Sequence, residues 1–295
     1  MNKILFQGCA PAMVTPFKQG RVDFEALERI IEHLINNGIK TIVVLGTTGE
    51  TSTLEYEEEN EIIRFAKKRM EGRAIMIVGT GSNSTKTAVE RSLNAKELGV
   101  DGLLVVTPYY NKCTQRGLVE YYMAIADTVK MPVIAYNVPS RTGLNMTPET
   151  ALELSQNPYI VGLKEASGNI QQIIQLAKIL QGKMALYSGD DVLNYLILAL
   201  GGQGMISVTA NALPSQLVAL YAAIQEGNYI EARNLHNQLY EINNALFCEV
   251  NPIPVKAALC YMGICSDELR LPLTTIEHIN RKKVIKALNT VLAKI

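Results

Sequence analysis

The sequence has little of the chemistry that holds disulfide-rich or metal-binding domains together. Its cysteines are Cys9, Cys113, Cys248, Cys260 and Cys265. They are scattered and odd in number, and none forms a CxxC pair or stands near a histidine at metal-site spacing. The pattern argues against a disulfide framework and against a metal site. It indicates a reducing compartment, so we expect a cytoplasmic protein.

The sequence also lacks long apolar runs and an excess of either positive or negative charge. No stretch approaches the ~18–20 uncharged apolar residues of a membrane helix. The N-terminal residues contain a three-residue apolar stretch, too short for the ~7–15 residues of a signal-peptide core. Lys plus Arg and Asp plus Glu each number 28, which gives a net charge of zero. We therefore expect no signal peptide, no membrane span, and neither nucleic acid nor an anionic membrane as the main partner.

Short apolar runs rich in β-branched residues recur along the first part of the chain. They predict strands at about 9–15, 41–47, 74–80, 102–107, 132–137, 160–165, 185–188 and 204–208. Near-continuous apolar strands separated by amphipathic helices are typical of a parallel sheet covered by helices. Eight such units favour a TIM (β/α)8 barrel over a doubly wound sheet. The doubly wound fold would need a glycine-rich turn after its first strand, where Thr15-Pro16-Phe17 stands.

The last seventy residues carry helical patterns only. Helices are predicted at about 228–246, 252–262 and 275–293. We therefore expect a catalytic barrel over residues 1–225 and a C-terminal helical domain over residues 226–295.

Active sites of TIM barrels lie at the C-terminal ends of the strands, so the residues there are candidates for chemistry. They are Thr47, Thr48, Tyr109, Tyr110, Tyr136, Asn137, Lys164 and Gly189. The set holds hydroxyls and one amine. The histidines fall in predicted helices away from the strand ends, and we assign them no catalytic role.

Lys164 is the most informative of these residues, because it interrupts an apolar strand near its end. Burial disfavours the ammonium form and can lower the pKa of a lysine from ~10.4 towards the ~7–8 that suits attack on a carbonyl. The alternative is a structural ion pair with Glu165. Adjacent strand residues point to opposite faces, which favours the nucleophile.

The other candidates are weaker individually. Tyr136 could transfer protons or simply pack at a strand end. Thr47 and Thr48 offer hydroxyls and backbone N–H groups to a small carboxylate, but an ordinary strand-to-helix turn has the same composition. Arg141 could bind a substrate carboxylate through two hydrogen bonds, or be a solvated loop residue.

Four motifs together resemble the dihydrodipicolinate synthase and N-acetylneuraminate lyase superfamily. They are GTTGE at 46–50, VTPYYN at 106–111, YNVP at 136–139 and GLKEAS at 162–167. The similarity covers about residues 5–290, and the motifs occur in the order and spacing of barrel strands.

The resemblance implies a lyase of the class I aldolase type. Lys164 would form a Schiff base with pyruvate, and Tyr136, Thr47 and Tyr110 would form the proton relay. The other implied substrate-binding residues are Thr48, Arg141, Gly189 and Ile206. The resulting enamine would attack L-aspartate 4-semialdehyde, held by Arg141, to give 4-hydroxy-tetrahydrodipicolinate, the first committed product of the diaminopimelate and lysine route. No metal or organic cofactor is expected.

In this family the second tyrosine reaches a neighbouring subunit's site, which implies a homo-oligomer, usually a tetramer built from tight dimers. Glu59 and Thr87 stand where lysine-sensitive members carry histidine and glutamate, so we expect insensitivity to lysine. The alternatives are an N-acetylneuraminate lyase, which generally lacks Arg141, a 2-keto-3-deoxy sugar-acid aldolase, or a keto-acid sensor without turnover.

Overall fold

The computed structural model of the protein describes residues 4–293. Its main sheet has eight strands, which occur where the sequence predicts them. They are β1 Gly8–Pro11, β2 Thr41–Val44, β3 Ile75–Gly79, β4 Gly102–Val106, β5 Val133–Asn137, β6 Ile160–Glu165, β7 Ala185–Ser188 and β8 Gly204–Ser207. The bounds of β6 and β7 are as predicted, and the other six strands are shorter.

Helices separate the strands and make up the C-terminal region. They are α1 Phe24–Asn36, α2 Tyr56–Met70, α3 Thr85–Glu97, α4 Gln115–Val129, α5 Pro139–Thr142, α6 Pro148–Leu154, α7 Ile170–Leu180, α8 Asn194–Ala199, α9 Pro214–Gln225, α10 Tyr229–Ala245, α11 Ile253–Tyr261 and α12 His278–Leu292. The last three confirm the predicted C-terminal helices. Each of the eight strands is followed by a helix, and the fold is the predicted (β/α)8 barrel with a C-terminal helical region.

The chain divides into two compact units, one of Met1–Gly8 with Ile75–Ile206, the other of Cys9–Ala74 with Ser207–Ile295. The first unit contains parallel strands β3 to β7 and most of β8. Its register pairs Val106 with Tyr136, Tyr136 with Lys164, and Lys164 with Tyr187. Parallel pairing therefore brings residues that are distant in sequence to the same level of the sheet.

The second unit contains most of β1, all of β2 and the C-terminal helices. A parallel bridge joins Ala12 to Val43, and Met13 N donates to the Val43 carbonyl at 2.9 Å. A short hairpin of Phe17–Lys18 and Arg21–Val22 precedes α1. Asp23 caps α1 by accepting a hydrogen bond from Ala26 N at 3.0 Å, as an N-cap carboxylate does.

Helices α9, α10, α11 and α12 pack on one another in this second unit, burying Leu239, Ile242, Val284 and Leu288. Within residues 4–293, no helix has both the length and the hydropathy needed to cross a membrane. The domain boundary at residue 225 stays a prediction.

Candidate active site

Lys164 lies in β6 with 5% of its surface exposed. Its Nζ is 4.1 Å from the centre of the Tyr136 ring on the neighbouring strand. A cation is attracted to the face of an aromatic ring, and a neutral amine packs there equally well in steric terms. The strand register thus brings together two of the residues that the sequence predicts as catalytic.

The surroundings of Lys164 lower the pKa of its amine to about 7. Burial is the largest cause, the negative charge of Asp191 opposes it, and the positive charge of Arg141 adds to it. A substantial fraction of the amine is therefore neutral and nucleophilic near pH 7. The lowered pKa of Lys164 agrees with the prediction from sequence. The role of Lys164 as the nucleophile stays a prediction.

Gly189 makes room for the Lys164 side chain. A Cβ placed on Gly189 would lie 2.9 Å from both Cγ and Cε of Lys164 and 3.0 Å from Cβ of Ala166. Real Cβ atoms almost never approach other atoms this closely, so any larger residue would displace the lysine. The sequence predicts Gly189 as a substrate-binding position, and the structure shows the contact it makes with Lys164.

Glu165 points away from Lys164, as strand alternation requires. Its carboxylate accepts hydrogen bonds from Ser167 N at 2.6 Å, Asn137 Nδ2 at 3.0 Å and Gln172 Nε2 at 3.4 Å. Burial raises the pKa of Glu165, and the hydrogen bonds from Ser167 and Asn137 oppose that shift. Glu165 therefore belongs to a polar network behind the strand rather than to a pair with Lys164.

That network continues to the loop that carries Arg141. Asn137 Nδ2 also donates to Asn145 Oδ1 at 2.9 Å, and Met146 N donates to Asn137 Oδ1 at 2.9 Å. Arg141 itself is exposed in α5, and its positive charge contributes to lowering the pKa of Lys164. The loop is thus anchored to the strand that bears Tyr136.

Asp191 is a residue that the sequence reasoning missed. It begins a 3₁₀ turn after β7, is 3% exposed, and accepts from Asn194 Nδ2 at 2.9 Å. Its carboxylate is close enough to Lys164 to favour the ammonium form. Its position just beyond the C-terminal end of a barrel strand was the available signal, and only the fold shows which lysine it faces.

Tyr110 and Ile206 occupy contrasting surroundings. Tyr110 is 91% exposed and has a φ of +70°, a left-handed conformation that is unusual for a residue with a side chain. Its side chain is not packed against Tyr136 and Lys164 in this chain. Ile206, in β8, is 1% exposed and belongs to the core.

Thr47 and Thr48 lie in the second unit, in a 3₁₀ turn that follows β2. Thr47 is exposed and Thr48 is buried. Thr48 Oγ1 accepts a hydrogen bond from Asn251 Nδ2 at 2.9 Å. The turn is therefore held by a residue of the C-terminal helical region that the sequence reasoning did not select.

Comparison with known proteins identifies the family. The model of the dihydrodipicolinate synthetase family matches residues 5–291. The chain belongs to that family. It is 48% identical over 281 residues to 4-hydroxy-tetrahydrodipicolinate synthase of Alkaliphilus oremlandii. The aligned residues cover 95% of this chain and 97% of that protein.

Solved structures of family members agree with the fold. The 4-hydroxy-tetrahydrodipicolinate synthase of Methylacidiphilum fumariolicum is 42% identical with a TM-score of 0.96, covering 98% of this chain and 97% of that one. The dihydrodipicolinate synthase of Acinetobacter baumannii, complexed with pyruvate, is 44% identical with a TM-score of 0.95, covering 97% and 99%. The barrel is thus the fold of the family.

Two further positions bear on the expected response to lysine. Glu59 is buried in α2 at 5% exposure, and Thr87 lies in the first turn of α3, where its hydroxyl donates to Ser84 Oγ at 3.1 Å. Glu59 stands where the resemblance associates a histidine with sensitivity, and Thr87 stands where it associates a glutamate. Insensitivity to lysine stays a prediction.

Proposed function

We propose that this protein condenses pyruvate with L-aspartate 4-semialdehyde to give 4-hydroxy-tetrahydrodipicolinate, through an imine on Lys164. The observation that carries the proposal is a buried lysine with a pKa of about 7 at 4.1 Å from the ring of Tyr136. Relatives across nearly the whole chain are named as synthases of that product. The protein would serve the first committed step of diaminopimelate and lysine synthesis.

The proposed reaction begins with the neutral amine of Lys164 attacking the ketone carbon of pyruvate. Water leaves and an imine forms, and loss of a proton from the methyl carbon gives an enamine. The enamine carbon attacks the aldehyde carbon of the second substrate, and the aldehyde oxygen takes a proton. The amino group of that substrate then displaces Lys164 and closes the ring.

Other side chains have supporting roles in this proposal. The Tyr136 hydroxyl, with Thr47 and Tyr110, would carry protons to and from the reacting atoms. Thr48 would bind the carboxylate of pyruvate together with backbone N–H groups of its turn. Arg141 would bind the carboxylate of the semialdehyde.

An activity assay with competing aldehydes tests the proposed function. The purified protein should consume pyruvate in the presence of aspartate semialdehyde and show little turnover with N-acetylmannosamine or a sugar aldehyde. A preference for N-acetylmannosamine would identify an N-acetylneuraminate lyase instead. Binding of pyruvate without turnover of any aldehyde would identify a sensor.

We expect imine formation to depend on pH with a midpoint near 7. The folded pKa of Lys164 is lowered from 10.5 to about 7, so the reactive neutral amine increases as pH rises through that value. Below the midpoint the rate constant should rise about tenfold per pH unit, with a plateau above the midpoint. Rapid mixing with pyruvate, followed by cyanoborohydride quench and intact-mass analysis, measures this rate.

Asp191→Asn provides the control for that pH profile. The Asp191 charge raises the pKa of Lys164, so its removal should move the midpoint to lower pH. A wild-type rate that continues to rise up to pH 10 would contradict a lysine with a lowered pKa.

Replacing Arg141 by alanine should weaken use of the semialdehyde and leave the pyruvate imine nearly intact. A charge-assisted hydrogen bond contributes ~1.5–3 kcal/mol, which corresponds to a loss of roughly tenfold to a hundredfold in kcat/KM for that substrate. Steady-state kinetics and imine trapping measure the two steps separately. Arg116→Ala, an exposed arginine in α4, is the matched control. An equal loss of imine formation and of semialdehyde turnover would argue against a contact between Arg141 and the carboxylate of the semialdehyde.

We also propose that the chain acts as a cytoplasmic homo-oligomer, a tetramer built from tight dimers. Two exposed features support this assembly. Tyr110, at 91% exposure, is available to a neighbouring subunit, and Ile170, Ile174 and Leu200 are 50%, 49% and 37% exposed. Exposed apolar residues of this size are typical of protein–protein interfaces.

The proposed domains are the barrel over 1–225 and the helical region over 226–295.

A further inference from the structure

A completely buried ion pair lies beneath the threonine turn and has no part in the chemistry proposed above. Lys256 Nζ donates to Glu50 Oε1 at 2.5 Å, and the two side chains are 0% and 1% exposed. Lys256 also donates to the Glu268 carbonyl at 2.8 Å and lies 4.2 Å from the centre of the Phe17 ring. Burying two charges is costly, so such a pair is informative when it adjoins a functional segment.

Glu50 directly follows the turn that carries Thr47 and Thr48. Its φ is +53°, and Leu45, just before the turn, has a φ of +56°. Left-handed backbone is unfavourable for residues other than glycine, and such residues persist only where their surroundings hold them. The four-residue segment between these two strained positions therefore requires contacts from outside itself to keep one conformation.

Several of those contacts come from the C-terminal region. Asn251 Nδ2 donates to Thr48 Oγ1 at 2.9 Å, and Arg270 N donates to Glu50 Oε2 at 3.1 Å. With Lys256 on Oε1, both oxygens of Glu50 are engaged by residues more than two hundred positions away. The side chain of Glu50 is thus fixed on two sides, and it fixes the left-handed residue that ends the turn.

We propose that Glu50 and Lys256 are positioning residues that hold the Thr47–Thr48 turn in the conformation that binds the carboxylate of pyruvate. This inference rests on the proposed function, because it assigns the turn to pyruvate. Neither residue touches the reacting atoms. The pair acts through the backbone of Glu50, whose left-handed conformation sets the direction of the preceding N–H groups and hydroxyls.

The test is a double variant, Glu50→Gln with Lys256→Met, assayed by trapping the pyruvate imine. Removing both charges avoids leaving one of them buried without a partner, so the variant is expected to fold. The pyruvate concentration that gives half-maximal trapping should rise roughly tenfold to a hundredfold, as expected for loss of charge-assisted hydrogen bonds to a carboxylate. The maximal amount of trapped adduct and the pH midpoint of trapping should be unchanged, because Lys164 is intact.

A matched control removes another ion pair of the same region. Asp267→Asn with Arg281→Met eliminates a partly buried pair that does not contact the threonine turn. We expect this control to shift the thermal midpoint and to leave half-saturation by pyruvate at the wild-type value. The difference between the two double variants separates positioning of the turn from general stability.

The outcomes are distinct. Wild-type half-saturation in a folded Glu50→Gln, Lys256→Met protein would overturn the inference. Failure of the wild-type protein to trap pyruvate would instead overturn the proposed function. If the double variant does not fold, Glu50→Asp alone tests the same inference, because it keeps a carboxylate for the buried Lys256 while its shorter side chain cannot keep both contacts, with Lys256 Nζ and with Arg270 N, at their present positions. Unchanged half-saturation in that variant would also overturn the inference.

Discussion

Replacing Lys164 by alanine is expected to abolish the pyruvate adduct and to lower turnover by about 10⁴-fold or more, because covalent catalysis loses its nucleophile. The Lys164 amine is buried and its pKa is about 7, so we expect it to be the reactive amine at neutral pH. Borohydride reduction with pyruvate, followed by intact-mass and peptide-mass analysis, measures the adduct. Lys183→Ala, which removes an exposed lysine, should retain both activity and adduct. An adduct on any other lysine would refute the assignment.

Thermal unfolding separates loss of the nucleophile from loss of the fold. The folded pKa of Lys164 lies below its ordinary value, so folding disfavours the ammonium form. The unfolded chain then binds more protons than the folded one between about pH 7 and pH 10.5, and stability rises with pH across that window. The cost of burying Lys164 is fully present below pH 7. A folded Lys164→Met protein should therefore be more stable than wild type at neutral pH, although we expect it to be inactive.

Replacing Tyr136 by phenylalanine should lower turnover by about 10²–10⁴-fold, the usual contribution of general acid–base catalysis. Phenylalanine keeps the ring that lies 4.1 Å from the Lys164 amine and removes only the hydroxyl. The pyruvate adduct should therefore still form, but more slowly. Single-turnover trapping and steady-state kinetics measure the two effects.

Tyr122→Phe is the matched control for that substitution. The Tyr122 hydroxyl is fully buried and donates to the Val105 carbonyl at 2.8 Å. Its removal should cost about 1 kcal/mol of stability and leave turnover nearly unchanged. Similar losses of activity in both variants would indicate that the Tyr136 hydroxyl acts through packing rather than proton transfer.

Several features of the molecule followed from local patterns in the sequence. The strands at 160–165 and 185–188 occur at the predicted bounds, because short apolar runs flanked by polar residues define them. Strand β2 ends at Val44, three residues earlier than predicted, because the residues after it form a turn. Alternation along a strand was sufficient to separate Lys164 from Glu165, and the hydrogen bonds of Glu165 confirm that separation.

The sequence by itself determined the order of strands and helices, the barrel class and the isolated lysine at a strand end, because each depends on residues close together in the chain. Tertiary structure alone decided that Asp191 faces Lys164 and that Gly189 packs on its side chain. It also decided that Lys256 pairs with Glu50 across 206 positions. Such contacts depend on which elements the fold brings side by side, and on the burial that makes a charge there costly unless a partner is present. A local sequence pattern predicts neither which elements become neighbours nor how deeply a charge is buried.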